Sequence, residues 1–273
     1  MKTVLITGAS GGIGAELVKK FSAEGWQVLA TDRTPRAPGG LALDVTDEGS
    51  VQALRKTVGV PDVIINNAGI GLLGPAVECP DEWLARQFDV NVRGVARMVR
   101  AFAPGMCERG HGRIINVSSL IGVFSMPWFG SYAASKHALE ALSDSMRIEL
   151  APFGVRLSLV EPSIVSTGFV DHAVRALEQS RPGSLWSGAL EQTIATKDRF
   201  DAVTVKPEQV AEAVFRAATA RVPRARYRVG WLASVLIRGS ALLPTFVNDA
   251  ILRFLGGFTR LTRSPAVALL PRS

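Results

Sequence analysis

The sequence predicts an α/β chain built as one doubly wound parallel sheet with helices on both faces, followed by an apolar and basic helical C-terminal extension. Three observations carry that expectation. Short apolar, β-branched runs alternate with helix-period segments from Val4 to Val229, the pattern of consecutive strand–helix–strand units. The first run meets a glycine-rich turn, Gly8-Ala9-Ser10-Gly11-Gly12-Ile13-Gly14. A hydrophobic content of 47% over 273 residues suffices for one large core, and no Pro/Gly/Ser-rich linker divides the chain.

Taken in order, Val4–Thr7 reads as a buried parallel strand. Ile13, Leu17, Val18 and Phe21 recur at helical spacing until Gly25, and Gln27–Thr31 is the next strand. Leu41–Leu43 is a short third strand, Glu48–Val58 a helix, and Val63–Ile65 a fourth strand ending at Asn66-Asn67-Ala68-Gly69. Glu82–Glu108 reads as one long helical region bent near Pro104, since a proline ring and its missing N–H disturb a helix. Arg113–Val117 is a fifth strand, Tyr132–Leu150 a long helix, and Val155–Val160 a sixth strand closed by Glu161-Pro162. Beyond Thr167 the pattern loosens: Phe169–Arg199 holds helical pieces broken at Pro182-Gly183 and Ser187-Gly188. Lys206-Pro207-Glu208 opens a regular helix to about Ala220, with proline suited to the first turn, and Tyr227–Val229 is a last strand.

Composition narrows the function classes. Cys79 and Cys107 lack metal-like spacing and point to a reducing compartment. His111, His137 and His172 are scattered, so no metal site is expected. The net charge is +7, but Arg221–Ser273 alone holds nine arginines and one acid (+8), leaving −1 for the preceding residues. The basic character belongs to the tail, which argues against a nucleic-acid-binding domain. Met1-Lys2-Thr3 runs straight into the first strand and does not read as a signal peptide, so a cytoplasmic location is expected.

Several residues carry candidate chemistry. Gly8, Gly12 and Gly14 lie between a strand and a helix, where glycines let backbone approach a pyrophosphate and the helix N-terminus favours an anion. Asp32 follows the second strand, where an acid hydrogen-bonds ribose hydroxyls and repels a 2′-phosphate, favouring NAD over NADP. Arg33 beside it is a counter-signal for NADP, since a guanidinium pairs with that phosphate. Tyr132 and Lys136, four apart on a helix, share a face. An ammonium near a phenol favours the phenolate and draws it down from about 10 towards working pH, giving a usable proton donor and acceptor. Alone, such a pair is a weak signal.

Together, Thr7-Gly8-x-x-x-Gly12-x-Gly14, Asn66-Asn67-Ala68-Gly69, Asn91, Ser119 and Tyr132-x-x-x-Lys136 resemble the classical short-chain dehydrogenase/reductase family in order and spacing over roughly residues 3 to 230. The resemblance implies a Rossmann-type dinucleotide-binding and catalytic domain over 1–230 and an extension over 231–273. It implies Tyr132 as general acid/base and Lys136 as the group that lowers its pKa and meets the nicotinamide ribose. Ser119 would hold the substrate oxygen, and Asn91 would organise a water in a proton relay. Ser118 is a rival to Ser119 on composition, and the thirteen-residue step to Tyr132 decides for Ser119. Cofactor contacts implied are Gly8, Ser10, Gly12, Ile13, Gly14, Asp32, Arg33, Asp44 at the adenine, Val45, Asn67, Ala68, Gly69, Tyr132, Lys136, Pro162, Val165 and Thr167. Ser163 stands where the family has glycine after Pro162, which puts the local turn in question.

The stretches after Ser119 and Thr167 carry Leu120, Ile121, Val123, Phe124, Met126, Trp128, Phe129, Phe169, Leu185 and Trp186. About half of these are assigned to a pocket for a bulky hydrophobic alcohol or ketone, steroid-, retinoid-, lipid-like or aromatic. The tail resembles hydroxysteroid- and retinol-dehydrogenase-like relatives. It mixes Trp231, Leu232, Val235, Leu236, Leu242, Leu243, Phe246, Ile251, Phe254, Leu255 and Phe258 with spaced arginines. Two readings compete for it: a cap over the substrate site or a dimer contact, which is favoured, and peripheral attachment to an anionic membrane. The resemblance also implies a homodimer or homotetramer built on the helices at Glu82–Glu108 and Tyr132–Leu150. The alternative to an enzyme is a catalytically silent NAD(P)-binding sensor or a membrane-associated binding protein.

Overall fold

The computed structural model describes residues 1–36, 38–180, 182–195, 204–231, 239 and 243–255. The strands are β1 (Thr3–Thr7), β2 (Gln27–Asp32), β3 (Leu41–Ala42), β4 (Val63–Asn66), β5 (Gly112–Val117), β6 (Val155–Pro162) and β7 (Arg226–Val229). They form one sheet in the order β3-β2-β1-β4-β5-β6-β7, parallel at every pairing. The helices are α1 (Gly12–Ala23), α2 (Glu48–Val58), α3 (Asp81–Phe88), α4 (Val95–Arg109), α5 (Gly130–Leu150), α6 (Gly168–Ser180), α7 (Ser187–Ala195), α8 (Pro207–Thr219) and α9 (Thr245–Leu255).

The central strands carry apolar residues on both faces, because helices cover both sides of the sheet. Leu5, Ile64, Ile114 and Leu157 stand in register across β1, β4, β5 and β6. They form a row that meets Val51 and Leu54 of α2, Met98, Phe102 and Met106 of α4, and Leu139 of α5. The alternate residues Ile6, Ile65, Ile115 and Val160 face the other way, onto Leu17 and Phe21 of α1 and Val210 and Val214 of α8. Local chemistry sets the helix ends. Asp47 caps α2 by accepting from the amides of Gly49 at 2.9 Å and Ser50 at 3.2 Å. Pro207 occupies the first turn of α8, as expected.

Three expectations need correction. The long helical region is not one helix: Pro104 lies inside α4, and a π-helical turn at Asp89–Gly94 separates α3 from α4. The wide turn sets the buried Asn91 and Gly94 inward, and a methyl at Gly94 would come within 2.8 Å of Val45 Cγ2. Ser187-Gly188 does not break a helix but starts α7, so the interruption is confined to the segment around Pro182-Gly183. β6 runs through Glu161-Pro162, because β7 pairs with those residues.

A third apolar cluster, separate from both sheet faces, joins Leu73, Leu120, Ile121, Phe124, Trp128, Tyr132, Leu177 and Leu190. Leu252 of α9 packs against it, while Phe246, Ile251 and Phe254 on the same helix are exposed. Among the described residues no helix is long and apolar enough to cross a membrane. Leu232, Val235, Leu236, Leu242 and Phe258 of the tail lie outside the described residues.

Phe102 is fully buried between α4 and the sheet. Phe102→Ala should destabilise the chain by about 3–5 kcal/mol. Urea unfolding that moved by less than about 1 kcal/mol would contradict this packing.

Candidate active site

Helix starts and strand ends converge at the carboxyl edge of the sheet, the usual place for a site in an open α/β fold. Gly8 leaves β1 at φ +66°, and a side chain there would come within 2.9 Å of the Ala68 α-carbon. Both the left-handed backbone and the close approach require glycine. A methyl at Gly14 would run into the Gly8 carbonyl oxygen, so helix α1 starts directly on the turn. Thr7 and Asn67 lock it: Thr7 Oγ1 accepts from the amides of Asn67 and Ala68, both at 3.0 Å. The Asn67 side-chain amide donates to the carbonyls of Thr7 and Gly8 at 3.0 and 3.1 Å.

These residues fit a dinucleotide. Gly11, the N-cap of α1, offers no side chain to the first-turn amides, which leaves them for an anion. Exposed Gly11 and Gly12 keep the turn free of side chains, and a methyl at Gly12 would come within 2.6 Å of Thr167 Cγ2. The segment after β6 therefore lies directly over the glycine turn. Val165 is held there by a parallel bridge to Val205.

At the end of β2, Asp32 Oδ2 accepts from the Ser10 amide at 3.1 Å and Oδ1 from the Thr34 amide at 3.3 Å. The Ser10 hydroxyl donates to the Thr34 carbonyl and accepts from the Arg36 amide. Arg33 lies near Asp44; burial opposes ionisation of that carboxyl, but two hydrogen bonds from Thr46, with Arg33 and Arg97, pull it below its ordinary value. Val45 is a buried core residue beside the π-helical turn.

The second half of the site comes from β5 and α5. Ser119 caps a short 3₁₀ turn, Leu120–Gly122, accepting from the Ile121 amide at 3.2 Å. Its hydroxyl also hydrogen-bonds the Tyr132 side chain, whereas Ser118 turns the other way, towards Glu140. Lys136 Nζ donates to the Val117 carbonyl at 3.0 Å and lies 5.8 Å from the centre of the Tyr132 ring. Asn91 Nδ2 donates to the Ile70 carbonyl and to Ser135 Oγ, and its Oδ1 accepts from the Ile70 amide. Its side-chain bonds thus go to protein groups rather than outward. The Gly69 α-carbon sits beside both: a methyl there would be 3.3 Å from Asn91 Oδ1 and 3.7 Å from Lys136 Nζ.

The expected electrostatics are corrected. Burial dominates Tyr132 and pushes its phenol up to about 12, with the Ser119 hydrogen bond pulling the other way. Burial likewise pushes the Lys136 ammonium down to about 8, opposed by the charge of Glu140. The chain alone therefore does not draw the phenol down: burial favours the neutral phenol and loosens the hold of Lys136 on its proton.

Ser163 raises no backbone problem, because the positive φ belongs to Gly230, at +97°. A side chain at Gly230 would collide with Ser163 Oγ. That hydroxyl is buried without a hydrogen-bond partner among the described residues. The serine is accommodated by a glycine far along the chain.

Of the proposed pocket residues, Leu120, Ile121, Phe124 and Trp128 are buried in the third cluster. Met126, Phe129 and Trp186 pack on it, and Val123 and Leu185 are exposed. The side chain of Phe169 lies outside the described residues. Trp128 has φ +73°, which disfavours a bulky residue. It is held by Nε1 donating to Thr193 Oγ1 at 3.1 Å and its carbonyl accepting from Gly74 at 2.9 Å. Sequence reasoning missed that strain, which has no local signal. It also missed Glu140, which the four-residue step beyond Lys136 could have flagged.

Residues 2–178 match the family model described as short chain dehydrogenase. The chain is 37% identical to human 17-beta-hydroxysteroid dehydrogenase type 1 over 82% of its length and 76% of that protein. It is 31% identical to mouse retinol dehydrogenase 5 over 92% and 88%. Similar solved structures include a short-chain dehydrogenase/reductase from Burkholderia phymatum in complex with NAD (TM-score 0.74, 27% identity, 92% and 95% covered). Serine dehydrogenase complexed with NADP+ is another (TM-score 0.73, 27% identity, 84% and 95% covered).

The buried lysine has a thermodynamic consequence. The folded chain releases the Lys136 proton at about 8, against an ordinary 10.5, so between those values the unfolded chain carries the extra proton. Lys136 therefore weakens the fold most below pH 8, and that penalty fades as pH rises to 10.5. Lys136→Met should be more stable than the parent at neutral pH, and the gap should narrow across this window. Urea unfolding in a pH series checks this; a gap that stays constant would contradict it.

Proposed function

Because the chain belongs to the short-chain dehydrogenase family, whose members are oxidoreductases with a nicotinamide cofactor, we propose that it interconverts a hydrophobic secondary alcohol and its ketone, with Tyr132 as general acid/base. One observation carries the reading. A buried phenol is hydrogen-bonded to Ser119, sits one helical turn from a buried ammonium, and opens onto an apolar cluster beside a glycine turn fit for a dinucleotide.

The cofactor supplies or takes up the hydride. The chain's residues do the rest. Ser119 donates to the substrate oxygen and fixes its place next to the Tyr132 hydroxyl. In the reducing direction Tyr132 passes its phenolic proton to that oxygen as negative charge develops, and in the oxidising direction it takes the proton back. Lys136 steadies the phenolate in either direction. Asn91 is assigned the organisation of a water in a proton relay, and its side chain also holds the Ile70 backbone, and so Gly69, against Lys136.

The residues assigned to the cofactor are Gly8, Ser10, Gly12, Ile13 and Gly14 at the turn, Asp32 and Arg33 after β2, and Asp44 and Val45 after β3. Asn67, Ala68 and Gly69 after β4, Tyr132 and Lys136 on α5, and Pro162, Val165 and Thr167 after β6 complete them. NAD is favoured over NADP. Asp32 occupies the end of β2 with its carboxylate at the Ser10 amide, and the charge of Arg33 acts on Asp44. Known relatives carry either cofactor, so this preference rests on the residues.

The third cluster supports a steroid-, retinoid- or lipid-like substrate, and human 17-beta-hydroxysteroid dehydrogenase type 1 and mouse retinol dehydrogenase 5 are named for substrates of that kind. Leu252 on the cluster supports α9 as a cap over the pocket. Exposed Ile148 near the end of α5 and Phe153 in the turn just beyond it support a homodimer or homotetramer.

Two measurements test the reading. Tyr132→Phe should lose about 10²–10⁴-fold in kcat with hydrophobic secondary alcohols and ketones, with NADH affinity retained; undiminished turnover would refute the acid/base role. Fluorescence titration should show NADH binding tighter than NADPH, with Asp32→Ala narrowing the difference. Tighter NADPH binding in the parent chain would overturn the assignment of Asp32.

A further inference from the structure

Buried charge in this domain extends well beyond the Tyr132/Lys136 pair. Along α5, Tyr132, Lys136, Glu140 and Asp144 follow at four-residue steps and stack on one face. Lys136 is 5% exposed and Glu140 is 6% exposed. Their stems lie together under Gly122, where a methyl would be 3.3 Å from Lys136 Cβ and 3.2 Å from Glu140 Cγ. The absent side chain lets the 3₁₀ turn after Ser119 seal both from water.

The carboxylate of Glu140 is clamped from the far edge of the sheet. Arg226 Nε donates to Glu140 Oε2 at 3.1 Å, and Arg226 Nη2 donates to Asp144 Oδ2 at 2.7 Å. Arg228, next on the same face of β7, donates to Glu161 Oε2 at 3.1 Å. The fully buried Glu161 also lies 3.0 Å from Arg226 Nε, and Asp144 pairs outward with Arg147 at 3.2 Å. A carboxylate buried as deeply as Glu140 would take up a proton if left alone. Burial and the neighbouring Glu161 push it that way and hold it above its ordinary value, although Ser118 and Arg226 pull it back.

We propose that Glu140 is a positioning residue for the Tyr132/Lys136 pair: its carboxylate, clamped by Arg226, keeps the buried Lys136 side chain charged and aimed at the Val117 carbonyl. The groups around Lys136 are Tyr132 and Glu140 on its own helix, the Val117 carbonyl of β5, and Asn91 beyond Gly69. Glu140 is the charged member of that set and the one whose charge acts on Lys136. Burial alone would strip the ammonium of its proton near working pH, and the phenol would lose its electrostatic partner. This role rests on the acid/base reading of Tyr132.

The test reads Lys136 directly. The chain has seven lysines, few enough for ¹³Cε-lysine NMR of the full-length protein, with Lys136→Met identifying the signal. Glu140→Gln preserves shape and removes charge, and the Lys136 midpoint should fall by about one pH unit or more. The alkaline limb of kcat should move down with it. Asp144→Asn shares the Arg226 partner but lies a turn further away, and should leave the midpoint in place. If Glu140→Gln does not fold, Glu140→Asp retracts the charge by one methylene and should give a smaller fall. An unmoved Lys136 midpoint in either folded variant overturns the proposal, as does an equal fall in Asp144→Asn. The NMR midpoint is independent of turnover. A Tyr132→Phe chain that stays active would remove the acid/base reading while the Glu140 result stood, and an unmoved midpoint beside an inactive Tyr132→Phe would remove only the role of Glu140.

Discussion

The close approach of β1 and β4 at their carboxyl ends is the constraint on which the rest depends. Thr7 Oγ1 reaches the amides of Asn67 and Ala68, and the Asn67 side chain returns to the carbonyls of Thr7 and Gly8. That knot has room only because Gly8 has no side chain facing Ala68. With the two strand ends fixed together, α1 must start at Gly12 and Gly69 must lie beside Lys136. The glycine turn and the tyrosine–lysine helix are remote in sequence, and this knot gives them one geometry.

The site then sets charge against burial. Two proton-carrying side chains are withdrawn from water, at a cost to stability, and burial disfavours the charged form of each. What reduces the cost is a set of polar partners: the Val117 carbonyl, the Ser119 hydroxyl, and the buried Glu140 and Glu161 with the half-buried guanidinium groups that reach them from β7. Sites of this kind commonly sacrifice fold stability for reactivity. Here the supporting polar groups reach to β7, at the edge of the sheet.

Where a feature is written in neighbouring residues, the sequence discloses it. The alternation of strands and helices, the cap of α2 before Glu48, the proline start of α8 and the thirteen-residue step from Ser119 to Tyr132 are of this kind. Each depends on spacing within a few turns of chain. Features decided by distant partners were not legible. Pro104 looked like the natural place for a bend, yet the irregular turn falls at Asp89–Gly94, where Asn91 meets the Ile70 backbone. Ser163 looked like a strained substitution, and Gly230 is what accommodates it. The pull of Lys136 on Tyr132 was inferred from four-residue spacing, but spacing says nothing of burial, and burial dominates both groups. Trp128 adopts a left-handed backbone because Gly74 and Thr193 hold it, and neither is near it in sequence.

The third apolar cluster contains no strand residue. Its buried members come from the segment after β4, the turns after Ser119, and helices α5, α6 and α7. The two clusters that hold the sheet share no buried residue with it. Side chains in this layer can therefore be exchanged with little disturbance to the machinery beneath, apart from Tyr132, which belongs to both. Such an arrangement lets the upper layer drift while the platform beneath it keeps its geometry, with Tyr132 and the turn after Ser119 as the points where the two meet.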